Sequence, residues 1–410
     1  MINYSDYKPR IFPILGVGDD AEIDRAQNID PTETLNREEV NEIGNADVVD
    51  YLKKSPTIGY RLTQLESGSI EFYQKLVNTA VKGNDGQDAI DLDDFKTSYF
   101  DIVAYLADDD GTFRGTKHYP SLRTAGFSLS IGEPDGVIER SFDFVGESAI
   151  TWQGDNKYFI YKKHICGSGD DNVIDLSDKT PAIDPDDSVY MLRVVRVRAG
   201  TSTELTITTD YAYSDATKEL TIVSVLTDDV IKIYYTSATA PDTQFTPNTT
   251  DKAGILGDCV DIYLYIPASG KPSTSDFLYR LQSVGFEIAF EREDKKELGN
   301  KNVVLRGISD KNITVTLGRF LEDFSLEEAL RGAGAGYGKI DIQKLSDEVS
   351  IIIKVYDDNT KSNFKYGIKA TGLTPSEFSP GSAVKEYVKK DATLIGKNLI
   401  ITADATVLGI

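Results

Sequence analysis

The sequence predicts a mainly β protein: two tandem β-barrel or β-sandwich units, each with one short helix, and a small β-sandwich inserted between them. Three observations carry this reading. First, Arg37-Glu38-Glu39-Val40-Asn41-Glu42-Ile43-Gly44-Asn45 recurs as Arg292-Glu293-Asp294-Lys295-Lys296-Glu297-Leu298-Gly299-Asn300, so Arg292 follows Arg37 by 255 positions. The same offset sets Val48 and Val49 on Val303 and Val304, Ile58 on Ile313 and Leu62 on Leu317. Second, each copy holds an alternating apolar run, Ile58-Tyr60-Leu62 and Ile313-Val315-Leu317, the period of a half-buried strand. Third, the stretch between the copies has no counterpart in either, yet is itself rich in short strand-like runs with turn signals between them.

In chain order, residues 1–19 read as an irregular arm broken by Pro9, Pro13, Gly16 and Gly18. The first unit spans 20–165. Its charged turn links two strand-like segments, the alternating strand follows, and Ser69 precedes a helix over Ile70–Val81 with Glu71 in its first turn. Beyond the helix the offset becomes 250, so that Ile90-Asp91-Leu92 meets Ile340-Asp341-Ile342 and Gly146 meets Gly396. The insert and its linker occupy 166–255, with strands expected over Val189–Val197, Glu204–Thr209, Glu219–Val225 and Val230–Thr236. Polar linkers flank it, so replacing Gly167–Asp251 with a short linker is expected to leave the rest folded. The second unit, 256–410, opens with a strand at Val260–Ile266 and has a capping box at Ser325-Leu326-Glu327-Glu328 before its helix.

Composition narrows the function. Apolar residues make up 40% and charged residues 27% of the chain, as in a soluble globular protein. No run approaches the ~20 apolar residues of a membrane span, and the first residues lack the basic and apolar regions of a secretory signal. The net charge of −22 repels phosphate backbones and argues against stable nucleic-acid binding. Cys166 and Cys259, the only two cysteines, read as reduced thiols of a protein made in the cytoplasm, with a bridge between them as the alternative.

The chain offers few groups for chemistry. The glycine run Gly332–Gly338 lacks the preceding strand, following helix and lysine of a phosphate loop, and reads as a helix C-terminus with a loop after it. Asp170, Asp171, Asp184, Asp186 and Asp187 could hold a calcium ion, but their spacing fits no EF-hand and acidic loops are usually solvated. His118 falls in a loop, and His164 with Cys166 reads as a structural pair at a domain joint, since nothing supplies an orienting third group. No catalytic, cofactor-binding or metal-ligating residue is assigned. Arg37, Glu38, Glu42, Arg292, Glu293 and Glu297 are candidates for contacts between subunits or rings, the alternative being a solvated hairpin tip.

A β-rich unit with one short helix, an R-E-x-x-x-E-x-G turn and a late Gly-Ser-Ala-Val-Lys-Glu segment (Gly381–Glu386) resembles the tail tube proteins of tailed bacteriophages. That fold family is shared with the tubes of contractile injection systems and type VI secretion. Ser283–Ile410 matches best, through Val284-Gly285-Phe286-Glu287-Ile288, the charged hairpin, Val349–Tyr356 and Tyr366–Gly372. The resemblance implies a virion tail protein, made in the host cytoplasm, that forms stacked rings around a channel. DNA would be passing cargo only, and no membrane or cofactor is involved. Two folds per chain imply trimeric rings that mimic hexamers, and partners among sheath, tape-measure or baseplate proteins. The insert resembles the immunoglobulin-like decorations of tail proteins. A baseplate or tail-tip ring of the same fold is the nearest alternative. A carbohydrate-binding surface protein, suggested by Tyr211, Tyr213, Tyr234 and Tyr235, is the more distant one.

Overall fold

The computed structural model describes residues 8–13, 21–23, 25–40, 50–79, 82–107, 113–153, 158–167, 172–183, 190–198, 201–239, 254–265, 281–296, 303–320, 348–381 and 389–409. The protein is mainly β. The first copy comprises β1 (Lys8–Pro13), β2 (Ala21–Glu22), β3 (Ala26–Thr34), β4 (Arg37–Val40), β5 (Asp50–Lys53), β6 (Thr57–Leu65), α1 (Glu71–Leu76), β7 (Ile90–Asp91), α2 (Asp94–Thr97), β8 (Phe100–Ala107), β9 (Phe113–Ile131), β10 (Glu139–Gly146) and β11 (Ile150–Gln153). Then come β12 (Tyr158–Ile165), β13 (Val173–Asp175), β14 (Met191–Arg198), β15 (Thr201–Glu204), β16 (Tyr211–Ser214), β17 (Glu219–Ile222) and β18 (Val230–Ser237). The second copy adds β19 (Val260–Tyr265), β20 (Leu281–Lys296), β21 (Val303–Phe320), β22 (Val349–Tyr356), β23 (Phe364–Gly381), β24 (Lys389–Gly396), β25 (Asn398–Thr402) and α3 (Ala405–Leu408).

The repeat in the sequence is a repeat in hydrogen-bond register. An offset of 255 carries Ile29↔Leu62 of the β3–β6 ladder onto Val284↔Leu317 of β20–β21, and Glu33↔Ile58 onto Ile288↔Ile313. Its irregularity is copied too: the first ladder skips Gln27 and the second skips Gln282. The β10–β9 and β24–β23 ladders likewise match, with Phe142↔Phe127 becoming Ala392↔Phe378 and skips at Ala125 and Ser376. Alternation does the burying. Ile58, Tyr60 and Leu62 turn into the core, as do Ile313, Val315 and Leu317, while the residues between them stay at least partly exposed.

β9 and β23 are long because each serves two sheets. The first part of β9 pairs with β8 and β11, and its second part with β10. The bend between them falls at Ser121, whose φ of 56° is held by a 3.0 Å hydrogen bond from its N–H to Asp101 Oδ1. The other Asp101 oxygen meets His118 Nε2 at 2.7 Å. His118 therefore sits inside a strand at a sheet corner, not in a loop, and has a structural partner there. The layers that result share one large apolar core, and among the described residues the strands close no barrel.

Several expectations change against this architecture. Lys8–Pro13, read as irregular arm, is β1, paired with β8 and β2. Pro9 and Pro13 lie outside the Arg10–Ile11 segment that is paired on both sides, where a sheet tolerates proline. The expected helix over Ile70–Val81 is confined to Glu71–Leu76, because Asn78 turns left-handed (φ 57°) and its amide hydrogen-bonds Tyr99 O at 3.0 Å. The first copy holds a second short helix, α2, whose first amides are capped by the Asp91 carboxylate. Cys166 and Cys259 are buried and form no disulfide. The second copy's capping box, the glycine run and the five insert aspartates lie outside the described residues.

The insert is bound more closely than its linkers suggest. Tyr158–Ile165 runs as β12 beside β18, in the order β12-β18-β14-β15, so this strand belongs to the insert's sheet and not to the first copy's. One face of that sheet packs with β13, β16 and β17 through Ile160, Val194, Ile231, Ile233 and Tyr235. The opposite face carries Phe159, Val195 and Tyr234 onto Val103, Tyr105 and Trp152 of the first copy. β18 is therefore buried on both faces along nearly its whole length, which explains its near-continuous apolar run. This packing reverses the expectation that the insert can be removed without opening a core.

Candidate assembly interface

The two copies meet edge to edge. β20 pairs with β9, from Val284↔Ile131 through Phe286↔Leu129 and Ile288↔Phe127 to Ala289↔Gly126. One continuous row results, β3-β6-β10-β9-β20-β21-β24-β23. Approach is close at Gly126, where a Cβ would lie 2.5 Å from Ile288 O, so only glycine lets the strands meet there. Beside it, Phe290 stacks on Phe95 with ring centroids 5.8 Å apart. Arg292 closes the end of the joint: its Nε donates to Thr124 O at 2.7 Å and its Nη2 to Phe95 O at 3.1 Å.

Other seams reinforce the joint. β7 of the first copy pairs with β25 of the second, and Gly83 O accepts from Ala403 N at 2.6 Å. Asp404 Oδ2 accepts from Gly86 N at 3.0 Å. Hydrogen bonds from Thr406, then from Gly86, hold the Asp404 carboxyl below the usual carboxylate range. The lead-in to the second copy is stitched to the first as well. Ile255 N donates to Glu66 O and Ile138 N to Ile255 O, both at 2.9 Å.

Between the copies lies a charged group the sequence reading did not single out. Glu66 and Arg140 are 0% and 4% exposed. Arg140 Nη1 donates to Glu66 Oε2 at 3.2 Å and to Ser69 O at 3.3 Å. Gly68 N supplies Glu66 Oε1 at 2.7 Å, and Tyr366 of the second copy donates its hydroxyl to Glu66 Oε2 at 2.8 Å. The guanidinium also faces the rings of Phe72, Tyr73 and Phe142. Burial, and then the Glu66 charge, pushes the Tyr366 phenol well up, and burial does the same to Tyr73. A raised folded value means that the stabilisation from these neutral phenols is complete below their ordinary value of 10.0. It is lost as pH rises through the folded value. Urea midpoints are therefore expected to be level up to about pH 9 and to fall above about pH 10. Tyr73→Phe should reduce that slope.

The six candidate residues part company. Arg292 is at the joint within the chain. Its counterpart Arg37 is exposed on β4, at the far end of the row beside β3. Glu38 pairs with Lys54 at 2.6 Å, whose hydrogen bond holds its carboxyl low, and Glu293 lies 3.6 Å from Lys295. Glu42 and Glu297 fall outside the described residues. Among the described residues, no strand pairs with the outer side of β3 or of Glu377–Gly381 in β23.

The face of the row turned away from the core is mostly polar, with Ile395, opposite Thr314, an exposed apolar exception. Ser128, Ser141, Thr314, Thr316 and Thr393 lie on it, with Glu139, Asp143, Glu287, Glu291 and Asp391. Arg61 stands among them, 3.7 Å from Asp143. Neither the protein-family models nor the curated proteins include a match to this chain.

Proposed function

We propose that the chain is a structural virion protein that closes into rings and stacks them as the tail tube conducting DNA. Three chains make one ring, each supplying two copies of the fold. The observation that supports this reading is the head-to-tail joint. Among the described residues it leaves an edge of the β20 kind open at β3 and an edge of the β9 kind open at β23. A contact between two different edges, repeated by rotation, gives a ring when it closes. Closure consumes edges that would otherwise invite aggregation. The polar face of the row then lines the bore. Its carboxylates repel a phosphate backbone and its short hydroxyl side chains give DNA little to grip. The reading requires no cofactor, and sheath, tape-measure or baseplate proteins are the expected neighbours.

Negative-stain images of concentrated protein are expected to show hollow tubes of stacked rings with threefold symmetry, and native mass measurement three chains per ring. Single rings that do not stack would move the protein to a baseplate or tail tip. Monomers at high concentration that bind glycans would overturn the assembly reading.

A further inference from the structure

The joint inside the chain can be set beside what is open at its ends. Phe290 is 5% exposed because the first copy covers it, whereas its counterpart Leu35, 255 positions earlier, is 71% exposed. Val284, Phe286 and Ile288 are buried on β20, while Ile29, Pro31 and Glu33 at the matching places on β3 are partly or fully exposed. Phe127 is buried under β20, and its counterpart Phe378 only partly so. Arg292 is engaged with two carbonyl oxygens of the first copy, and Arg37 lies exposed. Each difference is what an edge shows when its neighbour is missing.

We propose that β3, with Leu35 and Arg37 beyond it, binds the outer edge of β23 on a second copy of this chain. The proposal rests on the self-assembly reading above and gives it its contact surfaces. The two ladders fix the register. Carrying the β20–β9 pairs through them sets Thr34 opposite Glu377 of the second copy, Glu33 opposite its Phe378, Thr32 opposite its Ser379 and Pro31 opposite its Pro380. Two prolines on one rung forfeit that rung once instead of twice, and each guards its edge against indiscriminate strand pairing. Arg37 takes the part of Arg292 and donates to the carbonyl oxygen of the second copy's Pro375, the counterpart of Thr124. Leu35 is covered as Phe290 is.

Cysteine pairing tests this. Thr32 and Ser379 are both exposed, and the native cysteines are buried, so the unsubstituted chain serves as control. On oxidation the double variant Thr32→Cys/Ser379→Cys is expected to give a ladder of disulfide-linked chains. A mixture of the two single variants should give dimers only, and each single variant alone should stay monomeric on a denaturing gel. Arg37→Ala should lower the yield at fixed concentration about tenfold, the loss of a charged hydrogen bond. Arg37→Lys should not restore it, because an ammonium lacks the planar fork. Hollow tubes without an interchain disulfide would overturn these surfaces and leave the tube standing. A ladder without rings or tubes would support the surfaces and overturn the tube. Monomers without any disulfide overturn both.

Discussion

Glu66→Ala is expected to lower the stability of the whole chain by about 3–5 kcal/mol, read as a shift of the urea midpoint at neutral pH. The substitution leaves the Arg140 guanidinium buried, with Ser69 O as its remaining hydrogen-bond acceptor in the group. Gly68 N and the Tyr366 hydroxyl lose their acceptor at the same time. A buried charge without its counter-charge costs far more than the pair is worth. The double replacement Glu66→Leu with Arg140→Met should therefore recover most of the loss. A single-variant effect under about 1 kcal/mol would mean that water screens the pair as it does at a surface.

Exchanging 167–251 for a short Gly/Ser linker is expected to yield insoluble or strongly destabilised protein. The exchange removes β18, the strand beside β12, together with Val195 and Tyr234. Val103, Tyr105 and Trp152 of the first copy, with Phe159 of β12, are then uncovered as a contiguous apolar patch. Each large side chain returned to water forfeits about 1.5–3 kcal/mol. Tyr234→Ala probes the same seam in the intact chain and should cost about 3–5 kcal/mol. A soluble excised chain with a sharp unfolding transition would show that the first copy needs no cover.

What the sequence discloses here is period, and what it conceals is partnership. Ile58, Tyr60 and Leu62 announce their strand because one side of it meets the core and the other meets water. The offset between copies survives because register ties each residue to a place in the ladder, down to the skipped Gln27 and Gln282. β12 could not be assigned from its own residues, since periodicity does not say which sheet a strand joins. β1 was hidden by prolines that positions paired on one side only tolerate. Arg140 was within reach: it shares parity with Phe142 and Phe144 on β10, and a charge at a core-facing position requires a buried partner. Tyr366, three hundred residues from Glu66, could not be matched to it without the joint. The hairpin motif drew notice to Arg37 and Arg292 correctly as a repeated pair. It could not tell that one copy is already satisfied by its own chain.

Because β9 and β20 lie on one polypeptide, their contact forms at the local concentration set by the tether, on the order of millimolar, however dilute the protein. Dilution cannot undo it. Contacts between separate chains obey mass action instead. In the proposed ring, a freshly made subunit would carry half of its strand-edge contacts already in place while free monomers persist, and further growth would begin only once enough chains had accumulated. Under that proposal, fusing two copies separates folding from polymerisation in time, with protein abundance as the control between them.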